Sequence, residues 1–346
     1  MIKIALLVNK LGYFYRGGVN SFSRHFQDVV NNCSNSLHCD LFAMSQKSIS
    51  NNRLDRGISL FDFSVTENYD VLFLADFHLY DEDDLSILKQ WSKTKKPIVS
   101  YVHGPDSIIP SNYSFIKEYV DHVFWDREKL MEDTALRYGV DIPNSHLTLP
   151  FFVSEDRRDR IDYRFNVVAS QCRVASLKGI DKIINASSAL EGNVVIFGYT
   201  GDRIKDRDIQ YYQMISDTLK TKNNVTMFMS PYGISSSAIA TLLSSCKVYL
   251  SATKYDVPGV YGVEYAAMEA MNEGCLLIAD ENIKQEYRNK GCEALFYDNT
   301  NDMVDCVNWA LREYDSAMSK SMMDCNSLFL KNKMTLFCDQ LMGVLG

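Results

Sequence analysis

Seven prolines, three tryptophans and seventeen glycines are few for 346 residues, which excludes collagen-like and proline-rich low-complexity chains. No apolar run approaches the roughly 20 residues of a membrane-spanning helix. The amino-terminal run Ile4–Val8 is too short for the core of a signal peptide. None of the nine cysteines forms a CxxC pair. The closest two, Cys33 and Cys39, lack zinc-ligand spacing, so reduced thiols in a cytoplasm are expected. Positive charge is also scarce: 36 basic residues face 44 acidic ones, a net charge of −8. That excludes a protein that coats nucleic acid by bulk charge and leaves a local basic groove open. No GxGxxG glycine signature occurs.

Apolar residues make up 46% and charged residues 23%, both close to globular averages. The length suggests two domains. Short apolar runs alternate with amphipathic stretches. Strands are expected at Ile2–Val8, Val71–Ala75, Ile98–Val102, His122–Trp125 and Leu147–Phe151. A second series follows at Asn166–Ala169, Val194–Phe197, Val225–Phe228, Val248–Ser251, Leu276–Ala279 and Leu295–Tyr297. Such continuous runs suit strands buried on both faces of a parallel sheet. Val19, Phe22, Phe26, Val29 and Val30 share one face of a helix over 18–32; Met303, Val307, Ala310 and Tyr314 do so over 300–316. The fold class is therefore α/β, with two doubly wound, Rossmann-like parallel sheets facing a cleft. The charged stretch Ser154–Arg164 separates them. The expected parts are a domain over 1–153, a linker over 154–164 and a domain over 165–325. A carboxyl-terminal helix over 326–346 is expected to pack back on the first domain.

Several residues could carry chemistry. Gly17 and Gly18 precede a helix, where glycines let a backbone approach an anion or simply make a turn. His103 sits at a strand's carboxyl end, where sites form. Arg173 and Lys178 lie between a strand and a helix; they suit a diphosphate, or they are solvated surface charges. Glu269 interrupts an apolar helix and needs a partner, either ligand hydroxyls or a structural ion pair. Glu264 lies five residues before it. The acidic run Asp81–Asp84 reads as a helix start favoured by the helix dipole rather than a metal site. Two basic clusters are available to a polyanion: Arg157, Arg158, Arg160 and Arg164, and Lys93, Lys95 and Lys96. The arginines could equally just solvate the linker.

The order of these segments resembles glycosyltransferase family four, retaining enzymes of the GT-B fold, over nearly the whole chain. MIKIALLVNK…GGVNSFSRHF is similar to that family's first strand and glycine loop, and PIVSYVHGPD to its strand ending in a histidine. HLTLPFFVSED resembles the strand leading into the linker. CRVASLKGIDKIINA carries the most specific match, an arginine, four residues, then lysine-glycine before an amphipathic helix. NVVIFGYTGD, NNVTMFMSPYGISSSAIATLLSSCKVYLSAT and EAMNEGCLLIADE resemble the next strand and glycine turn, the base-binding region and the most recognisable helix and strand.

The resemblance implies a nucleotide diphosphate sugar, a UDP-sugar, as donor substrate, with no metal and no further cofactor. Arg173 and Lys178 would hold the diphosphate, Glu269 the ribose hydroxyls, and Gly17 and Gly18 the donor phosphate and acceptor side. Gly198, Tyr261 and Gly262 complete the implied donor set, and His103, Asp106 and Glu264 the implied catalytic set. Two departures stand out. The family's two glutamates have seven residues between them, yet counting back from Glu269 reaches Tyr261, so Glu264 or Asp256 would substitute. The family's His-Asp pair is spread over His103-Gly104-Pro105-Asp106. GGVNSFS and YVHGPDS resemble segments of phage α-glucosyltransferases that modify hydroxymethylcytosine in DNA. That branch implies duplex DNA as acceptor and a host cytoplasm. The alternatives are a lipid- or polysaccharide-directed transferase and a non-catalytic nucleotide-sugar-binding module.

Overall fold

The computed structural model describes residues 1–8, 18–44, 59–75, 82–102, 116–125, 128–138, 144–147, 163–199, 206–230, 234, 236–254 and 264–346. Two compact units emerge, one of Met1–Glu155 with Asn332–Gly346 and one of Asp156–Lys331.

The first unit holds a seven-stranded sheet of order β3-β2-β1-β4-β5-β6-β7. Its strands are β1 (Ile2–Val8), β2 (Leu37–Ala43), β3 (Ser59–Leu60), β4 (Val71–Leu74), β5 (Ile98–Val102), β6 (His122–Trp125) and β7 (Ser145–Leu147). Every pairing is parallel. Helices α1 (Gly18–Cys33), α2 (Glu82–Ser92) and α3 (Glu128–Tyr138) accompany them. The apolar stripe of α1 explains its docking: Phe22 meets Tyr101 at 4.3 Å between ring centroids, and Phe26 meets Phe73 at 4.5 Å.

The second unit holds a six-stranded sheet of order β10-β9-β8-β11-β12-β13, also parallel throughout. Its strands are β8 (Phe165–Arg173), β9 (Asn193–Tyr199), β10 (Val225–Ser230), β11 (Cys246–Leu250), β12 (Leu276–Asp280) and β13 (Leu295–Tyr297). The helices are α4 (Ile180–Ala186), α5 (Asp206–Leu219), α6 (Ser236–Ser244), α7 (Tyr265–Asn272), α8 (Lys284–Lys290), α9 (Thr300–Arg312) and α10 (Ala317–Leu345). Ile180, Ile183 and Ile184 of α4 and Met303, Val307 and Ala310 of α9 bury their stripes in one core with Val168, Ile196 and Val248. The end of α10, from Asn332 on, belongs to the first unit, where Phe337 packs on Phe26 of α1 and Phe124 of β6, at 5.5 and 5.9 Å. In both sheets the strand order reverses at one point, β1/β4 and β8/β11, and such a switch is where doubly wound sheets open a crevice at their strands' carboxyl ends.

Some boundaries differ from the sequence reading. β2 is not a continuous apolar run, because His38 and Asp40 alternate with its buried residues. The two lie 3.3 Å apart and Asp40 also accepts the Tyr69 hydroxyl at 2.8 Å. The seventh strand starts at Ser145, and residues 148–151 of the expected Leu147–Phe151 lie outside the described residues. The helix expected over 300–316 stops at Arg312, although Tyr314 is still buried, donating its hydroxyl to the Gly274 carbonyl at 2.7 Å.

The basic clusters need correction. Arg164 neither solvates a linker nor lines a groove; it is buried. Its guanidinium donates to the carbonyls of Leu243, Cys246 (2.7 Å) and Glu273, and lies 5.7 Å from the Tyr314 ring centroid. Arg157, Arg158 and Arg160 lie outside the described residues. Lys96 is committed likewise, donating to the carbonyls of Thr66 (3.0 Å) and Tyr69 (2.6 Å). Lys93 and Lys95 are exposed, but they sit in the turn that enters β5, at the opposite end of that strand from its carboxyl edge.

Candidate active site

The carboxyl ends of β8 and β11 flank the switch point of the second sheet, and five polar side chains gather there. β8 runs as far as Arg173, whose side chain is exposed and has no hydrogen bond or ion pair among the described residues. A 3-10 turn, Ser176–Lys178, follows. Gly179 then takes the left-handed conformation (φ 62°) and starts α4. Across from this turn the chain leaving β11 presents Ser251 and Thr253, tied in place by the Lys254 amide donating to the Leu177 carbonyl at 2.8 Å. Glu264 caps α7 through its backbone and turns its side chain toward the same spot.

Lys178 forms an ion pair with Glu264 Oε1, both side chains largely buried at 21% and 15% exposure. The same oxygen accepts the Thr253 hydroxyl at 2.6 Å, and Oε2 accepts Ser251 at 3.1 Å. Lys178 Nζ also reaches Thr253 Oγ1 at 3.4 Å. Burial alone would raise the Glu264 carboxyl; the charge of Lys178 and hydrogen bonds from Lys178, Thr253 and Ser251 outweigh it and hold it below the usual carboxylate value. The site therefore contains a fixed carboxylate and a fixed ammonium. Cys172 is no nucleophile: burial pushes its thiol up to about 12, against a smaller opposing pull from Lys178.

One helical turn further, Glu269 is half-buried on α7 and accepts Nε2 of Gln171 at 3.2 Å. The hydroxyl of buried Tyr249 donates to the main-chain carbonyl of Gln171 at 3.1 Å. Gly198 is buried on β9, and a Cβ there would meet Met227 Cε at 2.7 Å and Val174 Cγ2 at 3.0 Å, so core packing alone accounts for a glycine.

The structure thus brings Lys178 and Glu264 into direct contact, with Arg173 on the strand that leads to them. Gly18 opens α1. Gly17, His103, Asp106, Asp256, Tyr261 and Gly262 lie outside the described residues, as do Asp81 and the side chains of Glu82–Asp84. Among the described residues no group of three metal-ligating side chains occurs. Sequence reasoning missed Ser251, Thr253 and Gln171. Their signal is modest: polar residues at the carboxyl edge of buried runs, in VASQCR and VYLSAT.

No protein-family model matches the sequence, and comparison with curated proteins finds no match. Solved structures do match. An α-glucosyltransferase in complex with UDP-glucose and DNA containing an abasic site superposes with a TM-score of 0.72 at 12% identity, covering 100% of this chain and 99% of that one. A glycosyltransferase from Rickettsia africae gives 0.67 at 13% identity, covering 99% and 97%. The Anabaena HepE protein in complex with UDP and glucose gives 0.62 at 12% identity, covering 99% and 98%. The shared architecture is the GT-B fold, two Rossmann-like parallel sheets in one chain.

Proposed function

We propose that the chain is a retaining glycosyltransferase. In this reading it moves a sugar from a nucleotide diphosphate sugar, a UDP-sugar, to a hydroxyl group. The carrying observation is the charged cluster at the β8/β11 switch point, with Arg173 exposed and Lys178 held beside Glu264. A cation at a strand end and another in the turn that follows can bind a diphosphate and neutralise it as it leaves. Support comes from structural neighbours that hold UDP or UDP-glucose. Glu269 takes the ribose hydroxyls in this reading, and His103, Asp106 and Glu264 face the transferred sugar. Glu264 supplies the acid that the seven-residue spacing lacks. Its lowered proton affinity keeps it ionised at neutral pH, so it acts as an acceptor and counter-charge rather than a proton donor.

Arg173 gives the cleanest test, because no side chain among the described residues depends on it. Arg173→Ala is expected to weaken UDP binding about tenfold or more, the value of one charge-assisted contact, at unchanged melting temperature. Equal UDP affinity by calorimetry would remove the diphosphate from this site.

The acceptor we assign is a hydroxymethylated cytosine in phage DNA. The motif resemblance and the DNA-bound α-glucosyltransferases among the neighbours support it. With Arg164 and Lys96 committed to carbonyls, the backbone contacts fall to other cations, Arg157, Arg158 and Arg160 among them. A base in a duplex must also leave the stack, at a cost of about a few kcal/mol. The deciding experiment offers radiolabelled nucleotide sugars, in excess EDTA, with hydroxymethylcytosine duplex, unmodified duplex, lipid and oligosaccharide acceptors. Transfer to the modified duplex alone is expected, with retained anomeric configuration and a steep decline with salt. Label only in lipid or glycan would replace DNA as the acceptor, and nucleotide binding without release or transfer would make the chain a binding module.

A further inference from the structure

The surroundings of Gln171 are unusual for the interior of a parallel sheet. Its carbonyl oxygen Oε1 is buried and has no hydrogen-bond partner among the described residues. A shielded, unpaired amide oxygen costs free energy that an apolar side chain of similar size would avoid. The bond that sets the side chain's orientation is the one from Nε2 to Glu269 Oε2, at 3.2 Å. An ionised carboxylate only accepts, so the nitrogen must face Glu269 and the amide cannot be reversed. The main chain below is fixed too, since the Tyr249 hydroxyl, itself buried, holds the Gln171 carbonyl. Gln171 is therefore a rigidly mounted donor aimed at one oxygen of one carboxylate.

We propose that Gln171 is a positioning residue for the donor, orienting the Glu269 carboxylate so that the site selects ribonucleoside over deoxyribonucleoside diphosphates. The inference rests on the reading of Glu269 as the ribose anchor. A carboxylate that turns freely about its last bond offers its oxygens in many directions. With Oε2 engaged by Gln171, rotation of the group about that bond is restrained and so is the direction in which it can accept. A ribose diol, with two adjacent donors, matches such a fixed acceptor; a deoxyribose loses one donor and leaves part of the acceptor unpaired.

The test is calorimetric binding of UDP, 2′-deoxy-UDP and 3′-deoxy-UDP to the full-length protein and to Gln171→Leu and Gln171→Glu variants. The unaltered protein is expected to prefer UDP over at least one deoxy analogue by about tenfold or more, as for a hydrogen bond to a charged group. Gln171→Leu should reduce that preference to about twofold or less, mainly by weakening UDP, while the affinity for that analogue barely moves. Gln171→Glu, which sets a second carboxylate against Glu269, should abolish the preference and, because the two like charges meet at a shielded position, lower the melting temperature as well. Equal loss for ribo and deoxy ligands would mean that Gln171 only supports the fold, and a preference untouched in both variants would mean that it does not act on Glu269; either overturns the inference. Failure of the unaltered protein to bind UDP would be a different result, overturning the reading of the site as a nucleotide site and this inference with it.

Discussion

Lys178→Met is expected to destabilise the second unit by about 3 kcal/mol at neutral pH, and to weaken UDP binding about tenfold or more. The first effect follows from what is left behind. Glu264 keeps only 15% of its side chain exposed and loses its counter-charge, and removing one member of a buried pair strands the other. The estimate sits at the low end of the range for buried pairs because the site is not closed to water, and because Thr253 and Ser251 still donate to the carboxylate. In a unit of this size, such a loss lowers the melting temperature by about 6–12 °C.

The sign of the pH dependence separates this cause from simple loss of packing. In the unaltered protein the Glu264 carboxyl lies below its usual value, so the pair stabilises the fold above the ordinary carboxylate range. That contribution is lost as pH falls through the lowered value. Without the ammonium, burial dominates and pushes the carboxyl up, so a proton neutralises it readily. The penalty of Lys178→Met should therefore shrink on moving from about pH 7 to about pH 4.5. Adding Glu264→Gln to Lys178→Met should recover most of the stability at neutral pH without recovering nucleotide binding. Urea unfolding at the two pH values measures both. A penalty that is independent of pH and indifferent to Glu264→Gln would mean that the ion pair contributes nothing and Lys178 acts through its stem alone.

The sheets were legible in the sequence for a physical reason: strands buried on both faces are mostly apolar, as Ile98–Val102 is but for Ser100 and Leu276–Asp280 is up to its last residue. β2 escaped because it borders only the two-residue β3 on one side, which leaves room for His38 and Asp40. The spacing of Arg173, Lys178 and Gly179 was equally visible, since it spans one strand end and one turn. The partners of Glu264 were not. Ser251 and Thr253 are brought to Lys178 by the parallel pairing of β8 with β11, across more than seventy residues of chain, and pairing partners are set by sheet order. Arg164 misled for the opposite reason. In a run of charges it looked solvated, yet carbonyls left over at the ends of α6 and α7 and at β11 give a guanidinium more than water would, because its fork of donors satisfies several of them at once.

Gly179→Ala is expected to cost about 3 kcal/mol or more, and the reason separates into two parts that a second variant can isolate. The first is conformational. Gly179 has φ 62°, and a side chain in that region costs about 1–2 kcal/mol. Gly291, at the end of α8, has φ 72° and, among the described residues beyond its chain neighbours, none comes within 4 Å of where a Cβ would sit, so Gly291→Ala incurs the conformational cost alone. The second part belongs to Gly179 only. A Cβ there would lie 2.1 Å from the main-chain oxygen of Ala252 and 3.0 Å from its carbonyl carbon. Ala252 is 2% exposed, and its neighbours Ser251 and Thr253 are the residues that hold Glu264. The clash cannot be relieved by a rotamer change; it must push the segment after β11 away from the Lys178 turn. The lysine-glycine pair is thus a packing device, in which the missing side chain lets the turn close onto that segment and delivers the ammonium to the carboxylate. Gly179→Ala should therefore lower both the melting temperature and UDP affinity, while Gly291→Ala lowers the melting temperature by less and leaves UDP affinity unchanged. Thermal unfolding and calorimetry on the two variants decide it: equal stability losses with equal, undiminished UDP binding would show that the close approach of Gly179 to Ala252 does not shape the site.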